Sequence, residues 1–233
     1  MFEFDPARIA RARSAVARDP RGLPQALSTT STEIVGVAGA GIVLMADGRA
    51  VGTMCVSDHR TEVVEDLQFA CAEGPSCDAY RDRRPVVVPD LDAMEPGRWL
   101  AFGPGALDVG VRAAFGFPLL VDTVCLGVLD LYHDAPGALT DGQMQDAQIM
   151  ARLAAEAVLG WQAVGEALEV PWQLEHVPLH RAVVHQASGM ISVQASTSVE
   201  NALALLRARA FAEGRSVGDL AADVVAGRFR FEG

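Results

Sequence analysis

RAAFGFPLLVDTVCLGVLDLYHD, from Arg112 to Asp134, holds two apolar runs around Val121-Asp122-Thr123. Apolar runs of this length, separated by turn residues, predict two antiparallel strands in a hairpin. Upstream, AGIVLMADGRAVGTMCVSD (Ala40 to Asp58) repeats the pattern around Asp47-Gly48, a strong hairpin signal. RRPVVVPDL (Arg83 to Leu91) reads as a short strand closed by proline, and WLAFGPGALDVGV (Trp99 to Val111) as a loop or short helix.

Helical periods flank these strands. Ile9, Ala12, Ala15 and Val16 predict a helix over about Asp5 to Arg18, and a second covers about Leu23 to Val37. Leu67 to Tyr80 is helical in part, interrupted by Gly74-Pro75. Thr140 opens a long helix with Gln143 as its capping-box partner; Ala147, Met150, Ala154, Ala157, Trp161, Val164 and Leu168 follow at helical spacing. The order predicts an α+β domain whose antiparallel sheet is covered by helices. The small-residue stripe on the last helix suits pairing with a second copy, and equally suits packing on its own sheet.

Pro171 and Pro178 bracket a break in that pattern, so the expected domains are 1–170 and 179–233, joined by a linker over 171–178. Three more helices are expected beyond it. One runs from about Pro178 to Val193. The second is capped by Thr197 with Glu200 and ends at Gly214; the third starts at Ser216, with Asp219 three residues on, and ends at Gly227. Each has one apolar face, which predicts a small bundle near the lower size limit for an independent core.

The formal net charge is −11, which argues against a protein-wide electrostatic footprint for nucleic acid or anionic membrane. Up to Trp172 there are 13 arginines against 24 acids; from Gln173 on there are 6 of each. Acidity therefore belongs to the first part, and every basic residue is Arg. The first residues, MFEFDPARIARARSAVARDPRG, lack the apolar core of a signal peptide, and no window reaches the length of a membrane span. Cys55, Cys71, Cys77 and Cys125 form no CxxC pair, so reduced thiols in a cytoplasmic protein are expected.

Particular residues carry the reading further. QASGM (Gln186 to Met190), SVENALALLRARA (Ser198 to Ala210) and LAADVV (Leu220 to Val225) resemble the ANTAR domain, an RNA-binding module of bacterial antitermination regulators. Ala187, Gly189, Ala202, Leu206, Arg207, Ala210, Leu220, Ala221 and Val225 carry the match, which spans about Leu179 to Phe229. EGPSCDAYRDRRPVVVPDL and FPLLVDTVCLGVLDLYHD look like the helix-to-strand passage and central hairpin of a GAF domain. GAF followed by ANTAR resembles transcription antitermination regulators of actinobacterial type. The resemblance implies a GAF part that senses a signal or dimerises, and a three-helix ANTAR bundle that grips RNA stem-loops, in a homodimer.

On that resemblance, Gln186, Ser188, Gly189, Arg207 and Arg209 are the candidate RNA contacts. A guanidinium can clasp a phosphate bidentately, although Arg207 could instead pair with Asp219 or Asp223. Where the family often carries Lys between the Ala and Gly of its first helix, this chain has Ser188. Loss of that cation weakens phosphate attraction and its salt dependence. Trp99, Phe102, Phe115 and Phe117 are the candidate lining of a GAF ligand pocket, with core packing as the alternative. His59 and His133 lack partners at metal-binding spacing, and no GxSxG, HExxH or GxxxxGK occurs, so no catalytic residue, metal or cofactor is expected. The competing readings are a protein-interaction or dimerisation protein and a small-molecule sensor whose ANTAR fold no longer binds RNA.

Overall fold

The computed structural model describes residues 5–46, 49–168, 179–213, 215 and 217–231, with backbone alone at Arg49, 162–168, 179–182, Glu200 and Phe211. Asp47-Gly48, the 171–178 linker with Pro171 and Pro178, Gly214 and Ser216 lie outside the described residues, as do the side chains of Val164, Leu168 and Glu200. The chain divides into two compact units, Met1–Glu175 and His176–Gly233.

In the first unit the elements are α1 (Pro6–Arg18), α2 (Gln25–Val35), β1 (Gly39–Ala46), β2 (Arg49–Val56), α3 (His59–Cys71), α4 (Pro75–Asp82), β3 (Val86–Val88), α5 (Phe102–Asp108), β4 (Ala113–Val121), β5 (Val124–His133) and α6 (Asp141–Leu168). The strands form one antiparallel sheet in the order β2-β1-β5-β4-β3. Local chemistry starts the helices. The Asp5 carboxylate accepts from Ala7 N–H at 2.9 Å, and Asp58 accepts from Thr61 N–H at 2.9 Å. At α6, Gln143 N–H donates to Thr140 Oγ1 at 3.3 Å while Thr140 N–H donates to Gln143 Oε1 at 3.0 Å, a reciprocal capping box.

Strand periodicity sends alternate residues to opposite faces. Phe115, Phe117, Leu119, Leu129 and Leu131 join α1, α2 and α6 in one apolar core. Ala147, Met150 and Ala154 of α6 are buried in that core, so the stripe packs on the unit's own sheet. Val128, Tyr132 and Ala114 face the other way, into a second core with Trp99 and Phe102, between the sheet and α3, α4 and α5.

One boundary differs from the sequence reading: α3 begins at His59 rather than Leu67. Its buried residues are Thr61, Val64, Glu65, Gln68 and Phe69, a helical face that is half polar and therefore silent to an apolar-period test.

The second unit contains α7 (Leu179–Gln194), α8 (Val199–Ala212) and α9 (Val217–Val225), each in contact with the other two. Val184, Ala187 and Ile191 of α7, Ala202, Leu206 and Ala210 of α8, and Val217, Leu220, Ala221 and Val224 of α9 are buried at helical spacing. The cap of α8 is Ser198, whose Oγ accepts from Asn201 N–H at 3.1 Å, rather than Thr197. Thr197 N–H is already committed to the Ser192 carbonyl at 3.0 Å, closing α7.

Candidate functional site

The first unit holds a polar cluster on the α3 side of the sheet. Asp130 of β5 is paired with Gly41 on one neighbouring strand and Gly116 on the other. A Cβ at Gly41 would run into Glu65 Oε1, and one at Gly116 would lie 2.7 Å from the Pro75 carbonyl oxygen. The two glycines thus let α3 and the start of α4 descend onto the sheet directly around Asp130.

Into that space project Glu65, Gln68, Ser76, Asp130 and Tyr132, all buried. Gln68 Nε2 lies 2.7 Å from Tyr132 Oη, 3.0 Å from Ser76 Oγ, 3.2 Å from Glu65 Oε2 and 3.3 Å from Asp130 Oδ2. Gln68 Oε1 accepts from Ser76 N–H at 2.9 Å, Tyr132 O–H donates to Glu65 Oε1 at 3.0 Å, and Ser76 O–H donates to Asp130 Oδ2. Asp130 Oδ1 is buried with no hydrogen-bond partner. Burial pushes the Asp130 carboxyl up to about 7, against the opposing donors Ser76 and Gln68. Tyr132 is raised further by burial and by the neighbouring Glu65 and Asp130 carboxylates. Two buried carboxyl groups, Glu65 and Asp130, are thus joined through the one Gln68 amide.

Beside it, Trp99 and Phe102 meet edge to face with centroids 5.4 Å apart. Trp99 Nε1 donates to Asp78 Oδ2 at 3.1 Å, Arg98 stacks 4.4 Å from the Trp99 ring, and Trp99 has φ of 51°. A bulky residue in left-handed backbone is strained, and such strain persists only where surroundings enforce it. The expected four-aromatic pocket needs correction. Phe115 and Phe117 lie on the opposite face of the sheet from Trp99 and Phe102, because odd positions of β4 point toward α6. One cavity cannot be lined by all four.

The sequence reading missed the polar cluster, although its signal was present. An Asp in the middle of GVLDLY is a buried carboxylate waiting for partners. Finding those partners requires the fold, since Glu65 and Gln68 are distant in sequence. His59 Nδ1 lies 3.2 Å from Glu62, and His133 Nδ1 lies 3.0 Å from Asp134 and 3.2 Å from the Ala135 N–H. Among the described residues no cluster of three or more His, Cys, Asp or Glu could hold a metal.

In the second unit the candidate contacts separate. Gln186 and Arg209 are exposed, and Arg207 is half-buried. Ser188 is corrected as a contact: it is 1% exposed, and its hydroxyl donates to the Val184 carbonyl at 2.8 Å. The Ser188 hydroxyl is used inside the helix and does not reach the surface. A Cβ at Gly189 would meet nothing within 4 Å, so close packing inside the unit does not explain that glycine. Arg209 Nε donates to Glu213 at 2.7 Å, and its guanidinium lies 5.2 Å from the Phe229 ring. Asp223 takes Arg215 and Arg228, with Arg228 Nε at 2.7 Å. These arginines hold the Asp223 carboxyl below its usual range, Arg215 contributing most.

An antiparallel five-stranded sheet with helices on both faces, followed by a three-helix bundle, is a domain of GAF-type fold joined to a small helical unit. Solved GAF domains share the first fold. That of a phosphoenolpyruvate-protein phosphotransferase from Coxiella burnetii is 14% identical, with 69% of this chain and 95% of that one covered at a TM-score of 0.53. Its Acinetobacter counterpart is 12% identical, with 71% and 99% covered at 0.52. The chain belongs to the GAF domain family, which matches residues 17–158, and an ANTAR domain matches residues 172–225. No curated protein matches the chain.

GAF and ANTAR are regulatory rather than catalytic modules, and their combination is the architecture of RNA-binding transcription antitermination regulators with a sensory GAF part. ANTAR domains generally bind RNA, and GAF domains often dimerise or sense ligands. No described helix is long and apolar enough to cross a membrane.

Proposed function

We propose that this regulator acts in the cytoplasm as a homodimer, its ANTAR units gripping paired RNA stem-loops and favouring an antiterminator over a terminator. The observation that carries the reading is the ANTAR match over α7 to α9 combined with the surface those helices present. Gln186 and Arg209 face outward, and Gly189 leaves open backbone for a close approach. RNA loops offer unstacked bases and bent phosphates to such a surface, so a strongly basic face is not required. A signal reaching the GAF unit can act only by binding two arrangements of the output pair with different affinity. The face that carries Trp99, Phe102 and the Asp130 cluster is the proposed receiver of that signal.

The test is a gel shift with a two-hairpin RNA at low salt, together with sedimentation of the full chain. Binding by the wild type, weakened severalfold in Arg207→Ala, and a dimeric mass are expected. Indifference to RNA at low salt would sink the reading. Stable capture of a protein partner without RNA would favour an interaction protein instead.

A further inference from the structure

The ANTAR match ends at residue 225, yet the chain beyond it is built into the second unit. Gly227, at φ 73°, turns the backbone after α9. The Asp223 carbonyl then accepts from Arg228 N–H at 2.8 Å and from Phe229 N–H at 3.2 Å. Two residues on, Phe231 N–H donates to Gln194 Oε1 on α7 at 3.0 Å. The segment Arg228-Phe229-Arg230-Phe231 is thus anchored at both ends. Arg228 and Arg230 are exposed while Phe229 and Phe231 are half-buried. The two rings meet at 5.3 Å with an interplanar angle of 67°.

Arginines from the helices join this strip. Arg209 of α8 lies 5.2 Å from the Phe229 ring, and Arg215 shares Asp223 with Arg228. Three arginines are therefore shared between two carboxylates, Glu213 and Asp223, with the exposed Arg230 next to them in the chain. The Arg209 and Arg228 side chains are exposed, and exposed ion pairs contribute little, so these two guanidiniums can exchange a carboxylate for a phosphate at small cost. Arg binds phosphate in a planar fork, and an aromatic face stacks an unpaired base.

We infer that residues 228–231, with Arg209 and Arg215, form a second RNA contact outside the matched ANTAR domain, taking an unpaired loop nucleotide on Phe229 and its flanking phosphates on Arg228 and Arg230. Interleaved guanidinium and aromatic groups suit single-stranded nucleic acid, which uses both, whereas an acidic peptide would use only the charge. A pre-anchored strip also spares the ordering cost that a free tail would meet on binding. The inference rests on the RNA-binding reading above.

The experiment uses the full chain and an RNA recovered by it from a pool of paired hairpins with randomised loops. Affinity is measured against salt for the wild type, for Arg228→Gln/Arg230→Gln and for Phe229→Leu, with thermal midpoints as a fold control. Loss of two phosphate contacts should flatten the log–log salt slope by about 1.4, the single-strand increment for two charges. Phe229→Leu keeps apolar bulk and should weaken binding about tenfold with the slope unchanged. Wild-type affinity and slope in the arginine variant, whose replaced side chains are exposed, would overturn the second contact and leave the ANTAR reading standing. Failure of the wild-type chain to recover any RNA from the pool would overturn both.

Discussion

The two units differ in what they bury. The GAF unit carries surface ion pairs such as Arg13–Glu156 and Arg152–Glu156, yet it also buries Glu65 and Asp130, at most 1% exposed, under helices brought close by Gly41 and Gly116. Among the described residues of the ANTAR unit the buried ones are apolar apart from Ser188, and the Arg209 and Arg228 side chains make their ion pairs at the surface. A buried acid responds to protons because desolvation penalises its charged form. A surface arginine responds to salt and to phosphate because water already shares its charge.

The largest effect should come from the apolar face of the GAF sheet. Phe117→Ala empties a site that is 1% exposed and should cost about 3–5 kcal/mol in denaturant unfolding of the full chain. A loss below about 1 kcal/mol would mean that this face is not the stabilising core. A smaller effect is expected from the polar face. Asp130 is raised from 3.8 to about 7, so the folded state holds this proton more tightly than the unfolded chain. Its contribution is whole below about 3.8 and is lost as pH climbs through about 7. Asp130→Asn should flatten stability over that window by up to about 4 kcal/mol, read as the difference between wild-type and variant pH profiles. Parallel profiles would break the contrast between a titrating interior and a surface of arginines that keep their charge.

The ANTAR side sharpens the comparison at smaller scale. Gly189→Ala should raise the unfolding midpoint of the ANTAR transition by about 1 kcal/mol equivalent, since a helical Gly is replaced and its Cβ meets nothing. RNA affinity should fall in the same variant if the open backbone is approached, and a gain in stability with unchanged affinity would remove Gly189 from the contact surface. The smallest effect belongs to Ser188→Ala. Its hydroxyl is satisfied within the helix, so RNA affinity should change less than about twofold and stability by less than about 1 kcal/mol.

Much of the fold was legible in local pattern. The hairpin around Asp122, the Thr140–Gln143 capping box and the three apolar helical faces after the break all follow from short-range chemistry. Less of the site was legible. Phe115 and Phe117 read as pocket residues because an aromatic cluster in sequence says nothing about which face each ring takes. Only the pairing register of β4 fixes that, since successive residues alternate. Ser188 read as a surface position because a lost cation was judged by residue type. The burial of its helix face decided otherwise.

By itself the sequence determined the two-part architecture, because hydrophobic period, caps and the ANTAR and GAF motifs are local properties of the chain. Tertiary structure alone decided that Glu65, Gln68, Ser76, Asp130 and Tyr132 meet, and that Arg209, Arg215, Arg228 and Phe229 gather. Those meetings depend on strand register, on glycines that admit a helix to the sheet, and on Arg209 of α8 meeting Phe229 beyond α9. Each is a close approach between segments far apart in sequence, and no local pattern encodes it.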